Sequence, residues 1–423
     1  MLDIKFIREH RELVAEAARK KRLKFEVREL LILDEKRLKL LAEVEQMRAE
    51  QNRVSEEIAG ASETRRRSVL IASMRTLKGA LQDREMKLAG VIKDWQKLML
   101  EVPNLPDIAV PEGESDADNQ ELRRVGEPPS FDFAPRSHLD LMTTLGMVDF
   151  ERGVKVAGFR GYILKDAGAI LSFALWRFVL DQFAPLGFTP LIVPSLLKKA
   201  PFFGTSYLPQ GEEDLYRTQD RDYLAGTAEV ATMAYWQDEI LSLAQLPQKF
   251  LAFSPCFRRE AGSHGKDTKG LIRVHEFFKL EQVVICEASH ETSVKWHEEI
   301  TANAERLLQA LGLPYRVVLN CGADLGLGQV KKYDLEVWLP SGKTYRETHS
   351  ASYFHDFQTR RLNIRYRDEA GKLRFAHSLN NTAIATPRII AALVENYQQA
   401  DGTVAVPEVL QSYLGRKLIE PAA

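Results

Sequence analysis

Between about Val27 and Val102 apolar residues recur three and four positions apart in a segment that is otherwise polar and contains no proline. Leu40, Val44, Met47, Val54 and Ile58 follow a 4, 3, 7, 4 spacing, and Leu70, Met74, Leu77, Leu81, Leu88, Val91, Trp95 and Leu98 continue at 4, 3, 4, 7, 3, 4, 3. These are heptad seams, narrow enough for one neighbouring helix to cover, interrupted at Gln51 and Arg84. Gly60 and the polar run ASETRRR separate the two series. The pattern predicts an antiparallel coiled-coil hairpin with arms of about 35 residues, each roughly 50 Å long at 1.5 Å per residue. An arm of that length is expected to project from a compact core. Ahead of it, Leu2 to about Lys21 reads as one amphipathic helix with Ile4, Ile7, Leu13, Val14 and Ala17 apolar.

Pro103, Pro106 and Pro111, followed by EGESDADNQE, close the arm as a proline-rich and acidic linker over residues 105–136. From about Ser137 the pattern becomes a globular mixture. Residues 168–197 predict a strongly apolar helix, a break at Pro185 and Gly187, and a short buried strand ending at Pro194. An amphipathic helix near Ser293 to Leu311, a strand over Tyr333–Leu339, and a strand-to-helix unit at 378–398 follow. Pro387 stands at the opening of that last helix, where its missing N–H costs nothing.

Composition changes this picture little. The chain has 423 residues, enough for two or three domains, and a formal net charge of -1, so no global basic balance points to nucleic acid. Any RNA contact must come from a local patch. Arg65, Arg66 and Arg67 near the hairpin tip, with Arg53, Arg75 and Lys78 nearby, form such a patch, although a solvated coiled-coil face has the same composition. Cys256, Cys286 and Cys321 show no metal-ligand or disulfide spacing, so no structural zinc is expected and a reducing compartment is. No apolar run approaches a membrane span, MLDIKFIREHRELV lacks the features of a signal peptide, and a cytoplasmic location follows as the expectation.

Candidate chemistry concentrates in FRREAGSHGKDTKGLIRVHEFFKLE, from Phe257 to Glu281. Arg258 and Glu260 alternate after the apolar run Phe250 to Phe253, and Arg273, His275, Phe277 and Lys279 alternate on the return, so two antiparallel strands would share a charged face. The intervening glycines permit close approach of a phosphate-bearing ligand. Arginines can grip phosphate oxygens in bidentate fashion, Phe277 offers a ring to a purine, and Glu260 can accept from an exocyclic amine. A hairpin laced by surface ion pairs has the same residue types. Further along, Thr227 and Glu229 in YLAGTAEVATM would share a face if extended. CGADLGLGQVKK lacks the spacing of a phosphate loop. His349 and His355 with Asp356 lack a third positioned ligand for zinc.

The Phe257–Glu281 string closely resembles motif 2 of class II aminoacyl-tRNA synthetases in its seryl-tRNA synthetase version, with Arg259 and Phe278 as departures. Residues 168–197 resemble motif 1, 378–398 motif 3, TAE the serine-binding loop and Glu347 with Ser350 an ExxS pair. PEVLQSYLG, at 407–415, matches the family's C-terminal end, so the likeness spans the chain. The resemblance implies an α+β class II catalytic domain over 137–423, built on an antiparallel sheet flanked by helices, behind an N-terminal tRNA-binding domain over 1–104 with the coiled-coil arm. It implies attachment of L-serine to serine tRNA, and to selenocysteine tRNA, through a seryl-adenylate, by a homodimer using ATP and Mg2+.

By that resemblance Arg258, Glu281 and Arg388 are catalytic. Thr227, Ala228, Glu229, Arg258, Glu281, Asn380 and Thr382 bind serine. Arg258, Arg259, Glu260, Arg273, Val274, Phe277, Glu347, Thr348, His349, Ser350 and Arg388 bind ATP, and Glu347 with Ser350 hold magnesium. The arm, with its arginines, reaches the long variable arm of the tRNA. The alternative is a synthetase-like ligase that loads a carrier protein; such relatives lack the long arm.

Overall fold

The computed structural model describes residues 1–262 and 269–421. Residues 263–268, most of the glycine-rich loop of the central stretch, lie outside the described residues. The chain forms two compact units: Leu2–Arg19 with Leu23–Pro103, and Met1, Lys20–Arg22 and Asn104–Ala423.

In the first unit the single N-terminal helix predicted from the pattern is two, α1 (Ile4–Glu9) and α2 (Arg11–Lys20). The break falls at His10, whose φ of -126° and ψ of 42° leave helical space. Asp3 caps α1 by accepting from the Lys5 amide. Ile7, Val14 and Ala17 are buried, whereas Leu13 points outward. The hairpin consists of α3 (Val27–Gly60) and α4 (Thr64–Glu101), 34 and 38 residues long. Leu40 and Val44 pack against Leu81, Leu88 and Val91, as the heptad seams require. Where Arg84 interrupts the seam, it pairs with Glu43 at 3.3 Å, and Arg48 pairs with Glu85 at 2.6 Å. These exposed pairs add little stability but are consistent with one antiparallel register. The second helix resumes at Thr64, so Arg65, Arg66 and Arg67 occupy its first turn. That turn has no acidic residue, and the helix dipole disfavours cations there.

In the second unit an eight-stranded sheet is built from β1 (Gln120–Val125), β2 (Thr189–Ile192), β3 (Gln248–Phe257), β4 (Glu276–Cys286), β5 (Tyr315–Leu319), β6 (Lys331–Leu339), β7 (Thr344–His355) and β8 (His377–Ala385). Its order is β1-β5-β6-β7-β8-β4-β3-β2. Every neighbouring pair is antiparallel except β2 with β3. The segment read as a linker therefore supplies an edge strand, β1. It is exposed from Gln120 to Arg124 and carries no apolar alternation that could have announced it.

The helices of this unit include α5 (His138–Thr144), α6 (Ala167–Phe183), α7 (Glu229–Ala234), α8 (His290–Ala310), α9 (Phe357–Leu362), α10 (Thr386–Asn396) and α11 (Glu408–Leu414), beside two short ones at Phe150–Ala157 and Lys199–Gly204. Leu171, Leu175, Phe178 and Val179 of α6, Ile300 and Leu307 of α8, and Ile389, Ile390 and Leu393 of α10 form one core with Leu280 and Val284 of β4. Alternation then turns Phe277, Lys279 and Glu281 to the opposite face.

Two expectations about residues 168–197 fail. Ala167–Leu186 is, by length and composition, apolar enough to cross a membrane, with 20 residues at a mean hydropathy of 1.3. Here one face of it belongs to the core, while Phe173 is 66 % exposed on the other. The strand after Gly187 is exposed rather than buried, with Ile192 87 % accessible, because β2 is the sheet's last strand and pairs on one side only.

Candidate active site

The polar face of the sheet carries a cavity of about 360 Å3. Its floor is β4, where Phe277, Lys279 and Glu281 follow strand alternation. The alternation assumed for Arg258, Glu260 and Arg273 does not exist, because β3 ends at Phe257 and β4 begins at Glu276. Glu260 instead adopts a left-handed φ of 56°. All three side chains nonetheless line the cavity. They are set there by backbone ties: the Arg258 amide donates to the His275 carbonyl at 2.9 Å, and Arg273 forms an ion pair with Glu260.

Glu347 and Ser350 stand three apart, a spacing that would separate them across a regular strand. Leu335 pairs with His349 and Glu336 with Glu347, so Thr348 is an extra residue in β7 and a bulge turns Glu347 back to the site face. Glu347, Thr348 and Ser350 therefore all line the cavity. His349 does not. It is buried on the other face, with Nε2 3.1 Å from the Ala383 carbonyl oxygen and Nδ1 2.8 Å from Thr348 Oγ1. Burial lowers its pKa to about 4, which keeps it neutral.

Thr227 and Glu229 are not extended as their spacing suggested. Glu229 opens α7, and its amide donates to Thr227 Oγ1 at 3.2 Å. Both line the cavity, while Ala228 lies buried in the turn outside it. Asn380 and Thr382 of β8 join the lining, with Thr382 Oγ1 donating to Glu281 Oε2 at 3.4 Å. Val274 is buried at the wall. Arg388 lies in the first turn of α10, where its Nη1 donates to the Glu347 carbonyl at 2.7 Å and its Nε to the Ile272 carbonyl at 3.1 Å. Arg259 is exposed and outside the cavity; its amide donates to the Asp214 carbonyl at 2.9 Å. Phe278 stacks on Phe253 at 5.8 Å, away from the site. Arg53, Arg65, Arg66, Arg67, Arg75 and Lys78 are all exposed on the hairpin.

The charges of the cavity can be counted. Its described lining holds Arg258, Arg273, Lys279 and Arg388 against Glu229, Glu260, Glu281 and Glu347. Arg273 pairs with Glu260, Lys279 with Glu281 at 2.6 Å, and Arg388 with Glu347 at 3.3 Å. Four cations and four anions less these pairs leave one of each, Arg258 and Glu229. The Arg258 guanidinium lies 5.3 Å from the Phe277 ring centroid, and its Nε donates to the Gly226 carbonyl at 3.3 Å. Glu229 accepts from Gln358 Nε2 at 2.6 Å and from the Tyr207 hydroxyl at 3.1 Å. Burial drives its pKa up to about 7, with Glu281 adding to the rise and the two hydrogen bonds opposing it. Partial desolvation works against ionisation of Glu347, whose side chain is 46 % exposed, but Arg388, Lys332 and Arg258 overcome that cost and hold it well below the usual carboxylate range.

Sequence reading missed Tyr207, Gln358, Lys21 and His138. The buried Lys21 ammonium donates to the carbonyls of Gly326, Leu327 and Gln329, at 3.0, 2.9 and 2.6 Å, pinning a loop that lines the cavity. His138 Nε2 accepts from the amide of Leu271, another lining residue, at 3.2 Å, while its Nδ1 meets Glu395 of α10 at 2.7 Å. Lys21, His138 and Gln358 each act on a partner more than 100 positions away, and Tyr207 on one 22 positions away, so no local spacing marks them.

An antiparallel sheet with arginines in the connection between two of its strands and at the head of a helix, around a cavity holding both signs of charge, is the core of a class II aminoacyl-tRNA synthetase. Residues 213–397 match the tRNA synthetase class II core domain (G, H, P, S and T), and residues 1–106 the seryl-tRNA synthetase N-terminal domain. The serine–tRNA ligase of Deinococcus radiodurans is 47 % identical over 416 residues, covering 98 % of each chain. That of Thermodesulfovibrio yellowstonii is 46 % identical over 426 residues, covering 99 % of this chain and all of the relative. The crystal structure of seryl-tRNA synthetase from Pyrococcus horikoshii complexed with ATP matches with a TM-score of 0.92 at 39 % identity, over 100 % of both chains. The chain belongs to the seryl-tRNA synthetase family. A prolyl-tRNA synthetase from Giardia lamblia, 17 % identical with a TM-score of 0.57 over 65 % of this chain and 56 % of its own, shares the fold alone.

Proposed function

We propose that this chain activates L-serine with ATP and transfers it, through a seryl-adenylate, to serine tRNA. The observation that carries the reading is the charge count: three internal ion pairs leave a guanidinium and a carboxylate, the complement of a zwitterionic amino acid. Arg258 would take the substrate carboxylate and Glu229 its ammonium. Activation joins two anions, so the site must cancel repulsion and align the attack rather than supply a base. Arg258 would bridge the carboxylate and the α-phosphate, and Arg273 and Arg388 would leave their carboxylate partners for the outer phosphates. Phe277 and Glu260, with backbone near Val274, would seat the adenine. Glu281 and Thr382, beside Asn380, would engage the serine hydroxyl; alanine leaves them unpaired and threonine adds a methyl group to be excluded.

Glu347 and Ser350 offer only oxygen donors on one face, and the depressed pKa of Glu347 keeps it anionic, so the pair fits a hard cation. They would hold magnesium, which when bound neutralises phosphate charge. The exposed arginines of the hairpin tip would meet the tRNA backbone, with residues 1–104 serving tRNA and 137–423 the chemistry. Charging of selenocysteine tRNA, which shares the long variable arm, belongs to the same proposal. The apolar surface of α6 and the open edge of β2, with Phe173 and Ile192 exposed, would form a homodimer interface. A cytoplasmic location completes the reading.

The test is charging of serine tRNA by the purified protein, with an acyl-carrier protein as the competing acceptor. Serine on the tRNA supports the proposal, and serine on the carrier alone refutes it.

A further inference from the structure

Gln358 does not line the cavity, yet its buried amide ends on the cavity's unpaired carboxylate. Its Nε2 donates to Glu229 Oε1 at 2.6 Å, and its Oε1 accepts from Ser378 Oγ at 2.7 Å. The Tyr207 hydroxyl donates to the other oxygen of Glu229 at 3.1 Å. The direction of this chain follows from the state of the carboxyl. An ionised Glu229 only accepts, so the amide must present its NH2 group and Ser378 must donate to the amide oxygen. A protonated Glu229 would donate, and the amide would turn over, giving its oxygen to Glu229 and its NH2 group to Ser378 Oγ.

We propose that Gln358 is a positioning residue for the amino-acid substrate: it holds the Glu229 carboxylate ionised and aimed at the substrate ammonium, with Ser378 setting the direction of its amide. The inference rests on the serine-activation reading above. The groups that face Glu229 are few. Lys279 and Glu281 of β4 form an ion pair at 2.6 Å, Arg258 stands past the end of β3, and Tyr207 donates from the segment between β2 and β3. Asn380 and Thr382 of β8 are neutral. Burial and Glu281 favour the protonated form and lift the carboxyl to about 7 against the Gln358 hydrogen bond, the charge of Lys279 and the Tyr207 hydrogen bond, so removing the Gln358 donor leaves less of it ionised at neutral pH. A protonated Glu229 loses the charge that balances an ammonium, whereas nothing in this chain touches the groups assigned to ATP.

The experiment measures serine and ATP KM in ATP–pyrophosphate exchange from one pH unit below to one above the Glu229 midpoint, for the parent, Gln358→Met and Ser378→Ala. Loss of one hydrogen bond to a charged group predicts a serine KM raised roughly tenfold or more in Gln358→Met near neutral pH. The deficit shrinks as pH rises and the ATP KM stays unchanged. Ser378→Ala, a smaller perturbation of packing, moves the serine KM in the same direction by less. An unchanged serine KM, or a loss that is flat with pH and shared by ATP, overturns the proposal. Carboxyl 13C NMR of Glu229 in the parent and in Ser378→Ala separates this from the activity reading: an upward shift of its titration in the variant is expected. A parent without serine-dependent exchange would defeat the functional reading, while an unmoved titration would defeat the role of Gln358 itself.

Discussion

Replacing Arg258 with alanine should abolish adenylate formation while leaving the protein folded, and the structure sets both sides of that comparison. Arg258 is the one lining cation without a described carboxylate partner, so its removal orphans no buried anion, unlike loss of Lys279 from its 2.6 Å pair with Glu281. What the fold loses is a 3.3 Å hydrogen bond to the Gly226 carbonyl and a cation–π contact to Phe277. The cation–π contact is worth about 0.5–1 kcal/mol and the long hydrogen bond, whose donor is charged, about 1.5 kcal/mol, so about 2–2.5 kcal/mol in all. In a domain of this size that lowers Tm by several degrees, at about 2–4 °C per kcal/mol. What the reaction loses is a bridge between two anionic oxygens, with hydrogen bonds to charged groups worth about 1.5–3 kcal/mol each. A loss of about 3–6 kcal/mol corresponds to about two to four orders of magnitude in the exchange rate. The assay is serine-dependent ATP–pyrophosphate exchange beside a thermal melt and sedimentation. Arg258→Lys, which keeps the charge but not the planar fork, should fall between parent and Arg258→Ala. Near-normal exchange in Arg258→Ala, or a melting loss large enough to account for the inactivity, would refute the reasoning.

Shortening the hairpin between about Leu40 and Val91 should spare serine activation and abolish tRNA charging; equal loss of both would contradict the separate roles given to the two units. Lys21→Met should strip the Gln329 carbonyl of its described donor, while Gly326 and Leu327 keep backbone donors from Gln329 and Asn104, costing about 1–3 kcal/mol, read as a lower Tm and faster hydrogen exchange across 326–329. Glu395 is buried, but hydrogen bonds from the His138 side chain and backbone and from the Ser341 amide outweigh that burial and hold it below the usual carboxylate range. Its folded-state pKa is the lower one, so its contribution is complete above the ordinary glutamate value of about 4.3 and disappears as pH falls through the depressed value. An acid titration of Tm should therefore be shallower in His138→Ala than in the parent over that window.

The hairpin was legible because heptad spacing depends only on helix geometry and on one neighbouring helix. Leu40, Val44, Leu81, Leu88 and Val91 meet as their spacing required. Where strand period was extended past its element, the reading failed. Arg258, Glu260 and Arg273 reach the cavity from loop backbone, Glu229 from the first turn of a helix and Thr227 from the turn just before it. The bulge at Thr348 is equally silent in the residues, yet it alone puts Glu347 and Ser350 on one face. The exposure of β2 was hidden because an apolar strand reads as buried whether its cover is its own fold or something else. Gln358, Lys21 and His138 carry no local signal, since each owes its role to a partner far along the chain. The arginines and carboxylates of the cavity could be found by their likeness to a family string, but their pairing into three couples and two unpaired charges could not.

That leftover pair, Arg258 and Glu229, is the centre of the account, and ATP–pyrophosphate exchange measured with each amino acid separately tests it most directly. Serine alone should drive exchange, with alanine and threonine each far weaker. Glu229→Gln should raise the serine KM and leave the ATP KM unchanged. Exchange driven equally by alanine or threonine, or a serine KM indifferent to the charge at Glu229, would contradict it.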